Sequence, residues 1–387
     1  MEQLTLVSSN GDISKRDLIE HETLQPPLKP LTSRQIFAAA HVVPKLHADN
    51  TPGQPAVIDW DSTLAFRHHL WSWGLGVADA MDTAQRNMGL DAVATRELIR
   101  RSAAEAKSVG ARIVAGVNTD HVLDDVISLD AVVDAYVEQL EATQDQGAGA
   151  VLMASRHLAR VANTAEDYER VYERVLARSN GPVILHWLGA AFDPSLANYF
   201  GSSDTATASA TLLRIIEAGG QSIVGLKMSL LDAQAEIDLR SKLPTGVRML
   251  TGDDFNYVDL IAGDGDNHSD ALLGAFAAIG PLASAAIQAL DAQDEKRYRE
   301  LLEPTQQLSR HIFESPTWYY KTGIAFLAWL NGHQSAFVMV GGLQAARSLP
   351  HLSKIVELSN ECGALEHPEL ALVRWNRMLA AFGIEGH

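Results

Sequence analysis

The sequence predicts an α/β protein, a (β/α)8 barrel with an N-terminal arm and a C-terminal helical extension, on three observations. Eight short apolar runs alternate with longer segments of helical spacing. The runs are apolar at nearly every position, as strands of a parallel sheet must be when both faces are covered. Their starts recur every few tens of residues, near the roughly 30 that a strand, a helix and two loops occupy in such a barrel.

Taken in order, residues 1–34 read as an arm outside the barrel, with "QPPLKP" (25–30) as a stiff spacer. Strands are expected at "IFAAAHVV" (36–43), "GVADAM" (76–81), "RIVAGV" (112–117), "AVLMAS" (150–155), "PVILHW" (182–187), "SIVGLKMS" (222–229), "VRMLTG" (247–252) and "SDALLGA" (269–275). Between them, 91–110, 129–147 and 165–181 carry helical spacing, and the last two end in glycine, a common helix terminator. The barrel then occupies 35–280. Residues 281–387 read as a helical region packing on it, longer than one closing helix requires. An open doubly wound sheet is the competing architecture, but no G-x-G-x-x-G follows the first strand.

Of the 387 residues, 47% are hydrophobic, enough for a sizeable core. The stretch 271–290 runs twenty residues without a charge, yet Gly280 and Pro281 interrupt it, and a buried strand leading into a helix explains it better than a membrane span. A net charge of −17 repels phosphate backbones and anionic lipid, so neither nucleic acid nor membrane is expected as a partner. The single cysteine, Cys362, forms no internal disulfide, and the first thirty residues hold no apolar core of signal-peptide length. Both point to the cytoplasm.

In such barrels chemistry gathers where strands end and the following loops begin. Those positions hold His41, Asp82, Thr83, Asn118 to His121, Ser155 to His157, His186, Lys227, Asp253, Asp254 and His268. Lys227 and His186 differ from the rest because each lies within an apolar run. A desolvated amine has a lowered pKa, so part of it is neutral near pH 7 and can condense with a ketone or aldehyde. A buried ion pair with Asp253 or Asp254, or a lysine whose head reaches water, explains the same letter without chemistry.

The letters "GPVILHWLG" (181–189) followed by "IVGLKMSLLD" (223–232) resemble the dihydrodipicolinate synthase and N-acetylneuraminate lyase family. In that family the fifth strand carries P-V-x-L-Y-N-x-P and the sixth a Schiff-base lysine in G-x-K-x-S. "RIVAGVNTD" (112–120), "LTGDD" (250–254) and "DWDSTLAFRHHLWSWGLGVADAMDT" (59–83) are similar to further segments of it, over about 35–335, and the chain resembles a divergent branch. The resemblance implies a Schiff base on Lys227, no cofactor, and assembly as a homodimer or homotetramer.

Two departures matter. The family's proton-relay tyrosine falls at His186, and the G-T-T-G-E loop that grips a 2-keto acid falls at "DTAQR" (82–86), where Thr83 alone survives. An aspartate at that grip repels a carboxylate beside the carbonyl, whereas hydroxyls can donate to Asp82 and the histidines. Imidazole titrates near neutrality and can serve as the proton carrier.

The expectation is therefore a class I lyase, aldolase or dehydratase, acting on a carbohydrate-derived carbonyl compound. Lys227 forms the imine and His186 moves protons. Asp82, Thr83, Arg156, Asp253, His268 and His41 are the substrate-binding candidates, and no metal ligand is assigned. Two alternatives keep the barrel. A divalent metal held by His41, Asp82, His186 and His268 could polarise a carbonyl, or the barrel could bind a sugar without turnover. The aromatic-rich stretch 314–332 reads as helix contacts, with the head of Lys321 in water. "HPELALVRWNRMLAAFG" (367–383) reads as an amphipathic helix with Leu370, Leu372, Val373, Trp375 and Leu379 on one broad face.

Overall fold

The computed structural model describes residues 3–265 and 267–384; residues 1, 2 and 385–387 of the expected arm and helical region lie outside it. The chain starts with an antiparallel hairpin, β1 (Gln3–Val7) and β2 (Ile13–Asp17). Eight parallel strands follow: β3 (Ile36–Ala39), β4 (Gly76–Asp79), β5 (Ile113–Val117), β6 (Gly149–Leu152), β7 (Val183–Leu188), β8 (Ile223–Ser229), β9 (Arg248–Thr251) and β10 (Asp270–Leu273). They pair in chain order, and β10 closes on β3, making the expected (β/α)8 barrel.

Short polar caps start the intervening helices. Asp59, Asp91, Ser128, Ser155, Thr164, Asp204 and Asp232 each accept a backbone N–H two or three residues into the turn that follows. The helix Ala92–Val109 stops at Gly110, whose φ of 65° permits the left-handed cap. The helix begun at Ala165 ends at Leu176 instead of running to Gly181: the N–H groups of Arg178 and Ser179 tighten onto the carbonyls of Val175 and Leu176, and that of Asn180 goes to Gln144 Oε1 at 2.9 Å. Leu272 and Leu273 are buried in β10, and the helix Gly280–Asp291 begins with Pro281 in its first turn. Among the described residues no helix is long and apolar enough to cross a membrane.

Inward-facing side chains such as Phe37, Met81, Val114, Val151, Met153, Ile184, Leu250 and Leu272 fill the barrel. A buried ion pair fastens the helix Trp60–Ser72 to the sheet: Arg67 donates to Asp79 at 2.7 Å, both side chains are fully buried, and Arg67 also donates to the carbonyl of His41. After β10 come further helices, including Glu295–Leu302, Thr305–Ile312, Tyr320–Leu330, Leu349–Cys362 and Pro368–Ala381. The N-terminal hairpin docks on the last two of these. Val7 donates its N–H to Ser353 Oγ at 2.7 Å, and the Trp375 indole donates to the Thr5 carbonyl at 2.7 Å. The last helix buries Ala371, Leu372, Trp375 and Leu379, while Leu370 and Val373 are exposed, so its apolar face is narrower than the letters suggested.

Candidate active site

Along β8, Leu226 and Met228 pack outward against the helices, so Gly225, Lys227 and Ser229 face the barrel interior. The Lys227 side chain fits because its neighbour is glycine: a Cβ on Gly252 would lie 2.8 Å from Lys227 Cε and 2.1 Å from Ser229 Oγ. Lys227 is 8% exposed. Burial lowers its pKa below 10.5, partly opposed by the charges of Asp82 and Asp254. Among the described residues no carboxylate oxygen lies within 4.0 Å of its amine, so it is not locked into an ion pair. The amine faces an inner pocket of about 10 Å³, room for about one water, lined also by Thr83, Ser229, Asp254 and Tyr320.

Two carboxylates, Asp82 and Asp254, line the pocket with Lys227, and Asp254 is the buried one. Burial raises its pKa to about 7, against the N–H of Ala275, which donates to it at 2.8 Å, and the charge of Lys227. Asp253, the other acid considered as a partner and one of the substrate-binding candidates, is held by backbone. Its carboxylate accepts the N–H groups of Phe255 and Asn256 and the Asn256 side-chain amide, closing the turn into the helix Tyr257–Ala262.

His186 pairs with Lys227 across β7 and β8, so the two share the interior face. It is fully buried, and burial, then the charge of Lys227, lowers its pKa well below 6.5, leaving a neutral ring. Its Nε2 contacts Ser229 Oγ at 3.2 Å, while its Nδ1 has no partner. Because Ser229 lines the pocket and His186 does not, the serine hydroxyl connects the imidazole to the pocket.

Asp82 and Thr83 reach the site because the chain bends sharply after β4. Ala80 has φ 49°, and its N–H is tied to Asp79 Oδ1 at 2.9 Å. Thr83 Oγ1 hydrogen-bonds Tyr320 Oη at 2.8 Å. Tyr320, from the C-terminal helical region, was missed by the sequence reading. It stacks on Phe313, with centroids 4.3 Å apart, and burial together with Asp82 and Asp254 raises its pKa far enough to keep the phenol protonated. The aromatic run around it was the available signal.

Asp82, Leu188, Phe192 and Tyr320 also line an outer chamber of about 450 Å³, and so form the partition between the two spaces. Asn118, Thr119, Asp120, Arg156 and His157 line this chamber, where Arg156 pairs with Asp193 at 2.5 Å. Lys321 lines it too. Its side chain is buried instead of reaching water.

Two candidates lie elsewhere. His268 precedes β10, hence sits at the N-terminal end of the barrel opposite the mouth, among Arg34, Arg240 and Arg248. His41 follows β3 but lies between sheet and helix: its ring packs on Phe66 at 4.7 Å, its Nε2 meets Gln334 Oε1 at 2.9 Å, and burial lowers its pKa to about 3. It lines neither cavity. His41, Asp82, His186 and His268 therefore do not converge on a metal site. Among the described residues, the groups with three donor atoms within 4.8 Å are His69, His333 and Glu366, and His311, Glu314 and His351. In each the glutamate bridges two imidazoles, and neither group lines the inner pocket or the outer chamber.

A family described as "protein of unknown function (DUF993)" matches residues 4–384. The chain belongs to the DUF993 family. No curated protein matches it. Solved structures place this DUF993 chain in the fold of the dihydrodipicolinate synthases, as its strands five and six suggested. The synthase from Oceanobacillus iheyensis is 14% identical, with a TM-score of 0.64 over 86% of this chain and 97% of that one. The one from Bacteroides thetaiotaomicron is 18% identical, with a TM-score of 0.62 over 86% and 100%. YagE, a prophage protein of that synthase family from E. coli K12 solved with pyruvate, is 14% identical, with a TM-score of 0.65 over 86% and 99%.

Proposed function

We propose that this DUF993 chain is a Schiff-base-forming lyase, an aldolase or dehydratase, acting on a carbohydrate-derived keto or aldehyde compound through Lys227. The observation that carries the reading is a lysine amine buried inside the barrel, free of any carboxylate within 4.0 Å among the described residues, and facing a pocket.

The neutral Nζ attacks the carbonyl carbon, and the carbonyl oxygen takes up a proton to give a carbinolamine. A second proton converts that hydroxyl to water, which leaves as the protonated imine forms. Asp254, whose carboxyl pKa is shifted upward by burial, toward holding a proton, exchanges these protons in the pocket it shares with the amine. The imine withdraws electrons from the adjacent carbon, so that a C–C bond breaks, or a proton is lost and a β-hydroxyl is expelled. His186 takes or returns the proton through Ser229. Tyr320 and Thr83 orient substrate hydroxyls, and Asp82 accepts a hydrogen bond from one of them. The inner pocket is narrow, so the reacting end of the substrate is slim. A homodimer or homotetramer is part of this reading.

The test is borohydride trapping. The protein is incubated with ketoses, aldoses and 2-keto acids, reduced, and weighed intact. A mass gain with a polyhydroxylated carbonyl, absent from Lys227→Ala, is expected. No gain with any member, or a gain that persists in Lys227→Ala, overturns the proposal.

A further inference from the structure

The outer chamber contains an unmatched cation. Three of its arginines each have a carboxylate from the same lining: Arg86 pairs with Asp120 at 2.7 Å, Arg156 with Asp193 at 2.5 Å, and Arg160 with Asp125 at 3.1 Å. Lys321 has none. Among the described residues no carboxylate oxygen lies within 4.0 Å of its amine, although the residue is only 3% exposed. Its Nζ meets the Trp318 carbonyl and Met88 Sδ, both at 3.3 Å, which leaves at least one of its three N–H groups for the cavity.

An ammonium removed from water is unfavourable without a counter-charge, and what surrounds this one is a carbonyl, a thioether and the face of the Tyr320 ring, 5.0 Å away at its centroid, none of which carries a full negative charge. An anion arriving in the chamber supplies what is missing. We propose that Lys321 binds an anionic group at the distal end of the substrate, so that this site takes a carbonyl compound whose carboxylate or phosphate lies several bonds from the reacting carbon. The carbonyl half of this statement rests on the Schiff-base reading; the anion-binding half does not.

The arrangement resolves an apparent conflict of charge. Asp82 stands in the partition and disfavours an anion next to the carbonyl, whereas Lys321 stands in the chamber beyond it. Position along the substrate thus becomes the selected property, with neutral hydroxyls inside and the anion outside. Burial lowers the Lys321 pKa to about 8, with Asp82 opposing that shift, Arg156 adding to it and Asp193 opposing it, so the amine is mostly charged at pH 7.

The experiment uses the full-length protein and matched probes: dihydroxyacetone against dihydroxyacetone phosphate, and butanal against 4-oxobutanoate. Borohydride labelling of Lys227 is followed against probe concentration. The wild type is expected to reach half-labelling at a concentration at least tenfold lower for the anionic member of one pair, and which pair responds separates phosphate from carboxylate. Lys321→Met is expected to lose that preference while still labelling with the neutral member. Equal half-labelling concentrations in both wild-type pairs, or a preference retained in Lys321→Met, overturn the proposal.

If no probe labels at all, the Schiff-base reading fails, and a second readout decides the anion site alone. Inorganic phosphate and butyrate are titrated against Tm in wild type and in Lys321→Met. A saturable rise confined to wild type supports the site, and identical curves in the two proteins overturn it. Lys321→Gln, which keeps a donor for the Trp318 carbonyl, repeats both arms if Lys321→Met does not fold.

Discussion

Replacing Gly252 by alanine tests whether the amine is held in place by the missing side chain. The new Cβ would stand 2.1 Å from Ser229 Oγ, 2.8 Å from Lys227 Cε and 2.9 Å from the Met228 carbonyl. The carbonyl is fixed, because it accepts the Gly252 N–H at 2.8 Å in the ladder joining β8 to β9. The two side chains must therefore yield. Ser229 has to move by more than 1 Å to reach ordinary contact, which breaks its 3.2 Å link to His186, and Lys227 has to shift its terminal carbons. Overpacking of this kind costs about 1–3 kcal/mol. With an unfolding entropy of roughly 2.1 cal/mol/K per residue, that is a fall in Tm of about 1–4 °C for this chain. Displacing a reacting group by about 1 Å costs on the order of 10²-fold in rate. The borohydride-trapping rate in Gly252→Ala should fall by about that factor while the fold survives. Gly225→Ala is the control: its Cβ meets Leu250 Cδ1 at 2.7 Å, the movable end of a side chain that faces the interior across from Lys227 but does not line the inner pocket, so stability should drop slightly and trapping should persist. Wild-type trapping in Gly252→Ala would refute the packing argument.

Three further outcomes are expected. Glu236 is buried under the hydroxyls of Thr251 and Ser269, and burial raises its pKa from 4.5 to about 8; the folded state thus keeps a proton that the unfolded state releases, so stability is full below pH 4.5 and declines as pH rises to 8. At about 1.36 kcal/mol per pH unit the loss by pH 7 is about 3 kcal/mol, so Glu236→Gln should melt about 4 °C higher at pH 7 and lose that slope between pH 5 and 8; an unchanged Tm–pH profile would exclude this group as its source. Arg67→Ala strands the fully buried Asp79 carboxylate and should cost about 3–5 kcal/mol by urea unfolding, a cost below 1 kcal/mol being incompatible with the pair as described. Tyr320→Phe keeps the stack on Phe313 but removes the hydroxyl bonded to Thr83; labelling of Lys227 should stay within a few-fold while turnover falls by about 10², and unaltered turnover would remove the phenol from substrate positioning.

The barrel was legible because a strand covered on both faces cannot hide its composition. Six of the eight strands fall within the apolar runs and the other two, β6 and β7, overrun theirs by one residue, and Lys227 stood out for the same reason, as a charge where none belongs. What depends on how distant segments converge was not legible. Asp253 and Asp254 are chemically equal letters, yet the turn into the next helix closes around Asp253 while Asp254 lines the pocket with Lys227. His268 was assigned to the mouth, but a residue that precedes a parallel strand sits at its N-terminal end, so strand polarity removes it. His41 follows its strand correctly and still fails, because its side chain points away from the interior onto Phe66.

The C-terminal helices are where sequence patterning has least to offer and where the site gains most. Every residue from Tyr320 to Leu330 is buried, so no polar face distinguishes the end that reaches the mouth from the end that packs under the last helix. Yet the start of that helix places a phenol on Thr83 and, in the outer chamber, an ammonium with no carboxylate partner among the described residues, two groups the eight strands and their loops do not supply. Sequence read Tyr320 and Lys321 as core and surface because helical burial is ordinarily continuous and lysine ordinarily wet. Their position follows from the contact between the helix and the Asp82–Ala84 turn, which is set by the Ala80 bend some 240 residues earlier. The helical extension is thus a wall of the candidate site, and a truncation that left the barrel intact would still remove the chamber's only cation without a carboxylate partner among the described residues.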